Sequence, residues 1–233
     1  MKNLAYCLFV FLFGIASCDG NAQAKLSVEV ASFDEKLQTG QFQLLDVRTA
    51  GEYKSGHLAN ALQADWLNKQ QFEERTKHLD RSKPLLVYCA SGVRSEQAAK
   101  WLLQQGFKEV YNLKGGTSAW QLAGKKLEAA EATKQMELAD FEKKIKVSGF
   151  VLVDVGAEWC PPCKKMEPVL AQLKQELGNQ YQLVNVDGGA DIDVMKAAKA
   201  SVLPTFILYK DGKEVWRKEG IVDIEQFKAA LKL

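Results

Sequence analysis

Trp159-Cys160-Pro161-Pro162-Cys163 follows the apolar run Phe150 to Val155 and precedes a helical pattern from Lys164 to Leu177. A strand, a C-x-x-C and a helix in that order read as a dithiol redox site. A helix start carries unpaired N–H groups and partial positive charge, which stabilise a thiolate at Cys160. A thiol so placed has a lowered pKa and attacks disulfides near neutral pH. Pro161 and Pro162 fix φ and donate no N–H, so they stiffen the turn between the sulfurs. The rival for such a pair is half a zinc site, which needs four ligands. Outside the first eighteen residues only Cys89, His57 and His78 remain as further Cys or His, so no metal centre is expected.

Val151-Leu-Val-Asp154-Val-Gly-Ala-Glu-Trp159-Cys160 resembles the strand and active-site entry of thioredoxin, and Val202-Leu203-Pro204-Thr205 resembles that family's cis-proline loop. The resemblance covers residues 135–233. It implies that Asp154 is the buried carboxylate that accepts a proton from the inner thiol, Cys163. It further implies that Trp159 flanks the substrate groove and that a substrate chain lies against a cis Pro204. Sequence alone would make that bond trans, the majority state of X–Pro. Where thioredoxins often carry a lysine near the aspartate, this chain has Leu183.

At the other end of the chain, Lys2 and the apolar run Leu4 to Phe13 have the charged start and short hydrophobic core of a secretory signal. That run is too short to span a bilayer. It ends in Ile15-Ala16-Ser17-Cys18, which resembles the bacterial lipobox, whose cysteine is lipidated and becomes the first residue. The alternative is an ordinary signal that leaves Cys18 as a stray thiol, a liability in an oxidising compartment. Residues 1–17 are therefore expected to be a lipoprotein signal peptide and 18–24 a tether, with the chain exported and facing the periplasm. After removal of Cys7 with the signal, no cysteine pair is left for a structural disulfide.

The remaining length allows two domains. Thirty-one Lys plus Arg against 29 Asp plus Glu give a net charge of +2, too balanced for a nucleic-acid partner. Residues 124–134, charged and alanine-rich, read as a partly helical, semi-rigid linker.

Ahead of that linker, residues 25–123 alternate strands and helices. Leu44 to Val47 and Leu85 to Tyr88 are continuous apolar runs, as buried parallel strands show. Ser32-x-x-Glu35 and Thr49-x-x-Glu52 are capping-box signatures that mark helix starts. The alternation gives an α/β domain with a parallel sheet. Cys89-Ala-Ser-Gly92-Val-Arg94-Ser95 follows the second strand and opens into a helix, where such sheets place ligands. Loop N–H groups can converge there on the sulfur or on a group attached to it. Gly92 permits the tight curl, and Arg94 adds a permanent charge.

That loop resembles the active loop of the rhodanese family. Asp46-Val-Arg48, Glu52 and Gly56-His57-Leu58 resemble its first block, and Gly115-Gly116 with Trp120 its closing block. The resemblance implies that Cys89 takes a sulfane sulfur as a persulfide, stabilised by Arg94 and the loop around Gly92 and Ser95. Four residues separate Cys89 from Arg94, one fewer than in the neighbouring phosphatase family, which favours a persulfide over a phosphate. Ala90, Ser91 and Val93 are uncharged, so the sulfur donor stays open.

Asp46 and Arg48 are expected to brace the fold as a pair, with Glu52 and His57 also structural. His78 is expected on a solvated surface, and Trp66, Trp101, Trp120 and Trp216 in cores.

The expected protein is an α/β chain of two domains, the second built on the mixed sheet of the thioredoxin fold, without a cofactor. Cys160 and Cys163 carry thiol–disulfide exchange and Cys89 sulfur transfer, the dithiol reducing the persulfide. Its partners are protein disulfides, a sulfane-sulfur donor, an upstream reductant or oxidant of the dithiol, and a membrane held through the anchor. The alternative keeps the first half as a non-catalytic docking module.

Overall fold

The computed structural model describes residues 26–128 and 135–232, so the signal, the lipobox and Cys18 lie outside the described residues. Five strands form the first sheet: β1 (Ser27–Val28), β2 (Gln43–Asp46), β3 (Leu62–Gln63), β4 (Leu85–Tyr88) and β5 (Val110–Leu113). Their order is β1-β5-β4-β2-β3 and every pair is parallel. Alternate side chains leave opposite faces of a strand. Leu45, Val47, Leu85, Val87 and Cys89 accordingly pack with Phe72 of α3 (Lys69–Thr76) and Ala98 and Leu102 of α4 (Val93–Gln104). Leu44, Leu86 and Tyr88 face the other way. They meet Phe33 of α1 (Val30–Gln38), Tyr53 of α2 (Ala50–Lys54) and Trp120 of α5 (Gly116–Leu122).

The second sheet has the order β7-β6-β8-β9, from β6 (Phe150–Gly156), β7 (Tyr181–Asp187), β8 (Thr205–Lys210) and β9 (Lys213–Glu219). It is mixed, because β6 runs parallel to β7 and antiparallel to β8. Val151, Val153 and Val155 pack under α6 (Leu138–Ile145) and α8 (Ile192–Ala197). Leu152, Phe206 and Leu208 pack under α7 (Pro161–Leu177) and α9 (Ile224–Ala230).

Two local expectations, the helix start at Ser32 and the solvated His78, are corrected. Thr49 and Glu52 do form a capping box, but α1 begins at Val30 behind an extended Glu29. The Phe33 N–H already bonds the Glu29 carbonyl, so Ser32 lies inside the helix rather than at its start. Residues 125–128, read as linker, pack on the first half without helix. Glu128 exchanges both backbone hydrogen bonds with His57 (2.8 and 2.7 Å), Lys125 pairs with Asp34, and the Trp120 indole donates to the Lys126 carbonyl. His78 is not a solvated surface residue: its side chain is largely covered, and burial pulls its pKa down.

Asp46 and Arg48 do brace the sheet, with the guanidinium on both carboxylate oxygens and on the Gly56 carbonyl (2.6 Å). Both side chains are buried, and burial pushes the Asp46 carboxyl up against the pull of Arg48. Removing one partner strands the other charge in the interior. Arg48→Met should therefore cost about 3–5 kcal/mol of stability at neutral pH. Urea unfolding measures it, and the double change with Asp46→Leu should recover much of the loss.

Candidate active site with two sulfur centres

Cys89 follows the last residue of β4 and is wholly buried. Its Sγ accepts from the Gly92 N–H at 3.1 Å and the Ser95 hydroxyl at 3.3 Å. Burial alone pushes the thiol up. The Ser95 hydroxyl and the N–H groups of Ser95, Ser91 and Gly92 together bring it below its ordinary value. Gly92 sits at φ +86°, in the left-handed region that favours glycine, and starts α4 beneath the sulfur. Helix α5 holds the loop from behind: Thr117 N–H donates to the Cys89 carbonyl and Ser118 N–H to that of Ala90. A Cβ on Gly116 would meet the Ala90 carbonyl carbon at 2.6 Å, so only glycine allows this approach.

Arg94 reaches toward Cys89, but its guanidinium is held by both oxygens of Glu52, at 2.9 and 2.6 Å. That pairing draws the Glu52 carboxyl down to about 2. Glu52, read from sequence as part of the scaffold, is thus the residue that positions Arg94. Its capping-box place at Thr49 was visible in the sequence, whereas its partner 42 residues later was not.

Cys160 and Cys163 form a disulfide at the start of α7, with Cys160 as its N-cap. The Cys160 Sγ accepts from the Cys163 N–H at 3.3 Å. Asp154 stands on β6 next to the pair, its carboxyl pushed up to about 6 by burial. A Cβ on Gly156 would lie 3.4 Å from Asp154 Oδ1 and 3.6 Å from Cys163 Sγ, so both groups line one small space beside that glycine. Leu183 pairs in register with Leu152 and is 39% exposed, while Asp154 pairs with Asn185. The Leu203–Pro204 bond is cis, and Pro204 is buried.

Trp159 joins the two halves. Its carbonyl accepts from the Gln63 N–H at 2.8 Å, across the two halves. Its ring lies 5.9 Å from that of Tyr53 and 4.9 Å from the Arg75 guanidinium. Gln63 ends β3, pairs with Asp46 on β2, and Asp46 pairs with Tyr88, the residue before Cys89. Two strand spacings, roughly 10 Å, separate the β3 and β4 rows at this edge. Neither Gln63 nor Arg75 was singled out by sequence, because their role rests on a contact with a distant segment.

These features define a protein with two cysteine centres: one buried sulfur held by loop N–H and hydroxyl donors, and one C-x-x-C pair closed as a disulfide. The rhodanese-like domain family matches residues 29–123 and the thioredoxin family residues 132–233. The chain belongs to the rhodanese-like family through its first half and carries a thioredoxin domain behind it. Thiosulfate sulfurtransferase GlpE of Coxiella burnetii is 42% identical over 78 residues, 34% of this chain and 70% of that protein. A tRNA uridine(34) hydroxylase of Cytophaga hutchinsonii is 38% identical over 91 residues, covering 38% of this chain and 29% of that protein. The oxidised mitochondrial thioredoxin 3 of Saccharomyces cerevisiae is 29% identical, over 45% of this chain and all of that one, with a TM-score of 0.39.

Two outcomes test the electrostatics. Ser95→Ala removes a hydrogen bond to the thiolate, worth about 1.5–3 kcal/mol for a charged acceptor. The pH midpoint for alkylation of Cys89 should therefore rise by roughly one to two pH units. For Asp154, the folded carboxyl titrates near 6 against 3.8 when unperturbed, so the folded state binds the proton more tightly. Its ionisation costs stability above about pH 6, and the cost disappears as pH falls below the unfolded value. Asp154→Asn should stabilise the oxidised protein by up to about 3 kcal/mol at pH 8 and by little near pH 3, read by denaturant unfolding.

Proposed function

We propose that the chain is an exported thiol enzyme in which Cys89 accepts sulfane sulfur and the Cys160/Cys163 dithiol reduces it to sulfide. The observation that carries this reading is the seating of the dithiol loop, through Trp159 and Gln63, on the end of β3, two strands from the β4 end that bears Cys89. A sulfane donor leaves one sulfur on Cys89, whose persulfide anion is held by the loop N–H groups, Ser95 and Arg94. The Cys160 thiolate attacks the outer sulfur and breaks the bond to Cys89, freeing the Cys89 thiolate and forming a persulfide on Cys160. Cys163 then gives its proton to the ionised Asp154 and attacks the Cys160 Sγ. Hydrosulfide leaves with the proton that Asp154 gives back, the Cys160–Cys163 disulfide forms, and the sulfane sulfur has gained the two electrons of the dithiol. An upstream dithiol reductant must restore the pair. The same pair exchanges with protein disulfides once they reach Cys160, with Trp159 and Pro204 flanking the incoming chain.

The similarity to a protein named thiosulfate sulfurtransferase supports the sulfur-accepting half of this reading. Loading Cys89 from a sulfane donor and reducing the dithiol should release one sulfide per chain. Cys160→Ser should release none, and Cys163→Ser should stop with sulfur on Cys160, seen as added mass. If no sulfane donor loads Cys89, the first half is a docking module and the dithiol alone is the enzyme.

We also propose that Cys18 carries the lipid anchor on a bacterial membrane, on the strength of Ile15-Ala16-Ser17-Cys18. Several acyl chains at that site would hold the chain firmly. Cys18→Ala should leave the protein uncleaved or soluble, whereas an unmodified Cys18 in native protein would refute the anchor.

A further inference from the structure

An attacking thiol must be reached by its partner, yet Cys160 has 0% exposure, and Pro161 and Pro162 are buried with it. The loop in front of them is seated on the first half. Gln63 N–H holds the Trp159 carbonyl, while Tyr53 and Arg75 meet its ring. Arg75 is itself built into this surface: it is buried, donates to the Gln63 side-chain and main-chain carbonyls, and loses enough solvation to titrate near 10. The Gln63 amide donates in turn to the Arg48 carbonyl at 2.6 Å, tying this surface to the Asp46–Arg48 brace. Beside it α3 packs against α7, and Lys165 of α7 lies near His78 and Asp80.

We propose that the surface of Tyr53, Gln63 and Arg75 is a docking seat that selects what the dithiol reacts with. Docked, the pair takes sulfur presented by the first half and exchanges with small thiols. A bulky protein dithiol or disulfide reaches Cys160 only when Trp159 leaves the seat. This deepens the proposed function by naming the substrate class of the dithiol, but its test does not involve sulfur loading, so either can fail alone.

The test starts from the full oxidised chain and follows reduction of Cys160–Cys163 by two reagents, dithiothreitol and a reduced protein dithiol of thioredoxin size. Each reagent forms its own disulfide as the pair gains two electrons. Arg75→Ala weakens the seat outside the reacting groups. It should speed the protein reagent by at least about ten-fold and dithiothreitol by less than about two-fold, as expected when access rather than thiol chemistry is limiting. Arg75→Lys, which keeps a cation over the ring, should restore much of the wild-type ratio. An unchanged rate with the protein reagent, or equal acceleration with both, overturns the proposal. Hydrogen exchange on the unaltered chain gives a second readout independent of any variant, because the Gln63 N–H bonds across the halves to Trp159. That amide should exchange at least about ten-fold more slowly than in an unstructured peptide, and free exchange there overturns the seat.

Discussion

Both sulfur centres depend on unpaired N–H groups at the start of a helix that leaves a strand's carboxyl end. A buried thiolate is expensive unless donors replace its water, and a helix start supplies fixed donors and partial positive charge. At Cys89 the burial is complete, and the Gly92 N–H, further loop amides and the Ser95 hydroxyl overcome its cost. At Cys160 the same geometry comes from α7, whose first two residues are prolines and whose Cys163 N–H points at the Cys160 sulfur. The glycines of the first site follow from this demand. Gly92 must curl under the sulfur, and Gly116 must let α5 approach the loop's carbonyls.

Around each centre a carboxylate is set to a different task by its surroundings. Glu52 has the Arg94 guanidinium on both oxygens and stays ionised far below neutral pH, so it positions a charge. Asp154 is half-buried beside the cysteine pair and is pushed up to about 6 by lost solvation, where a proton can be taken or returned in the neutral range. Burial with a partner fixes one group's charge, while burial that dominates a group's environment makes it titrate within reach of catalysis.

Much of this was legible in the sequence because it is local. Continuous apolar runs marked β2 and β4 as buried parallel strands, and the strand–cysteine–helix order marked both sulfur sites. The cis bond at Pro204 came only from the thioredoxin resemblance, since X–Pro bonds are mostly trans. Long-range pairing was not legible. Glu52 meets Arg94 across 42 positions, and Trp159 meets Tyr53, Gln63 and Arg75 from the far half of the chain. Local pattern also misplaced one helix start. Ser32 and Glu35 have capping-box spacing, but the chain had already entered α1 at Val30. Gln63 carried no motif at all, and its importance lies in a backbone N–H that every residue except proline possesses.

The two centres matter to one another only if sulfur passes between them within one chain. The direct test is a single turnover with Cys89 persulfidated and Cys160/Cys163 reduced, followed by sulfide release over about a hundred-fold range of protein concentration. Transfer between tethered, seated sites is unimolecular, with the tether setting the effective concentration. The account predicts a first-order rate constant that does not change with dilution. A rate constant that falls in proportion to protein concentration would mean that sulfur moves between separate molecules, and would contradict it.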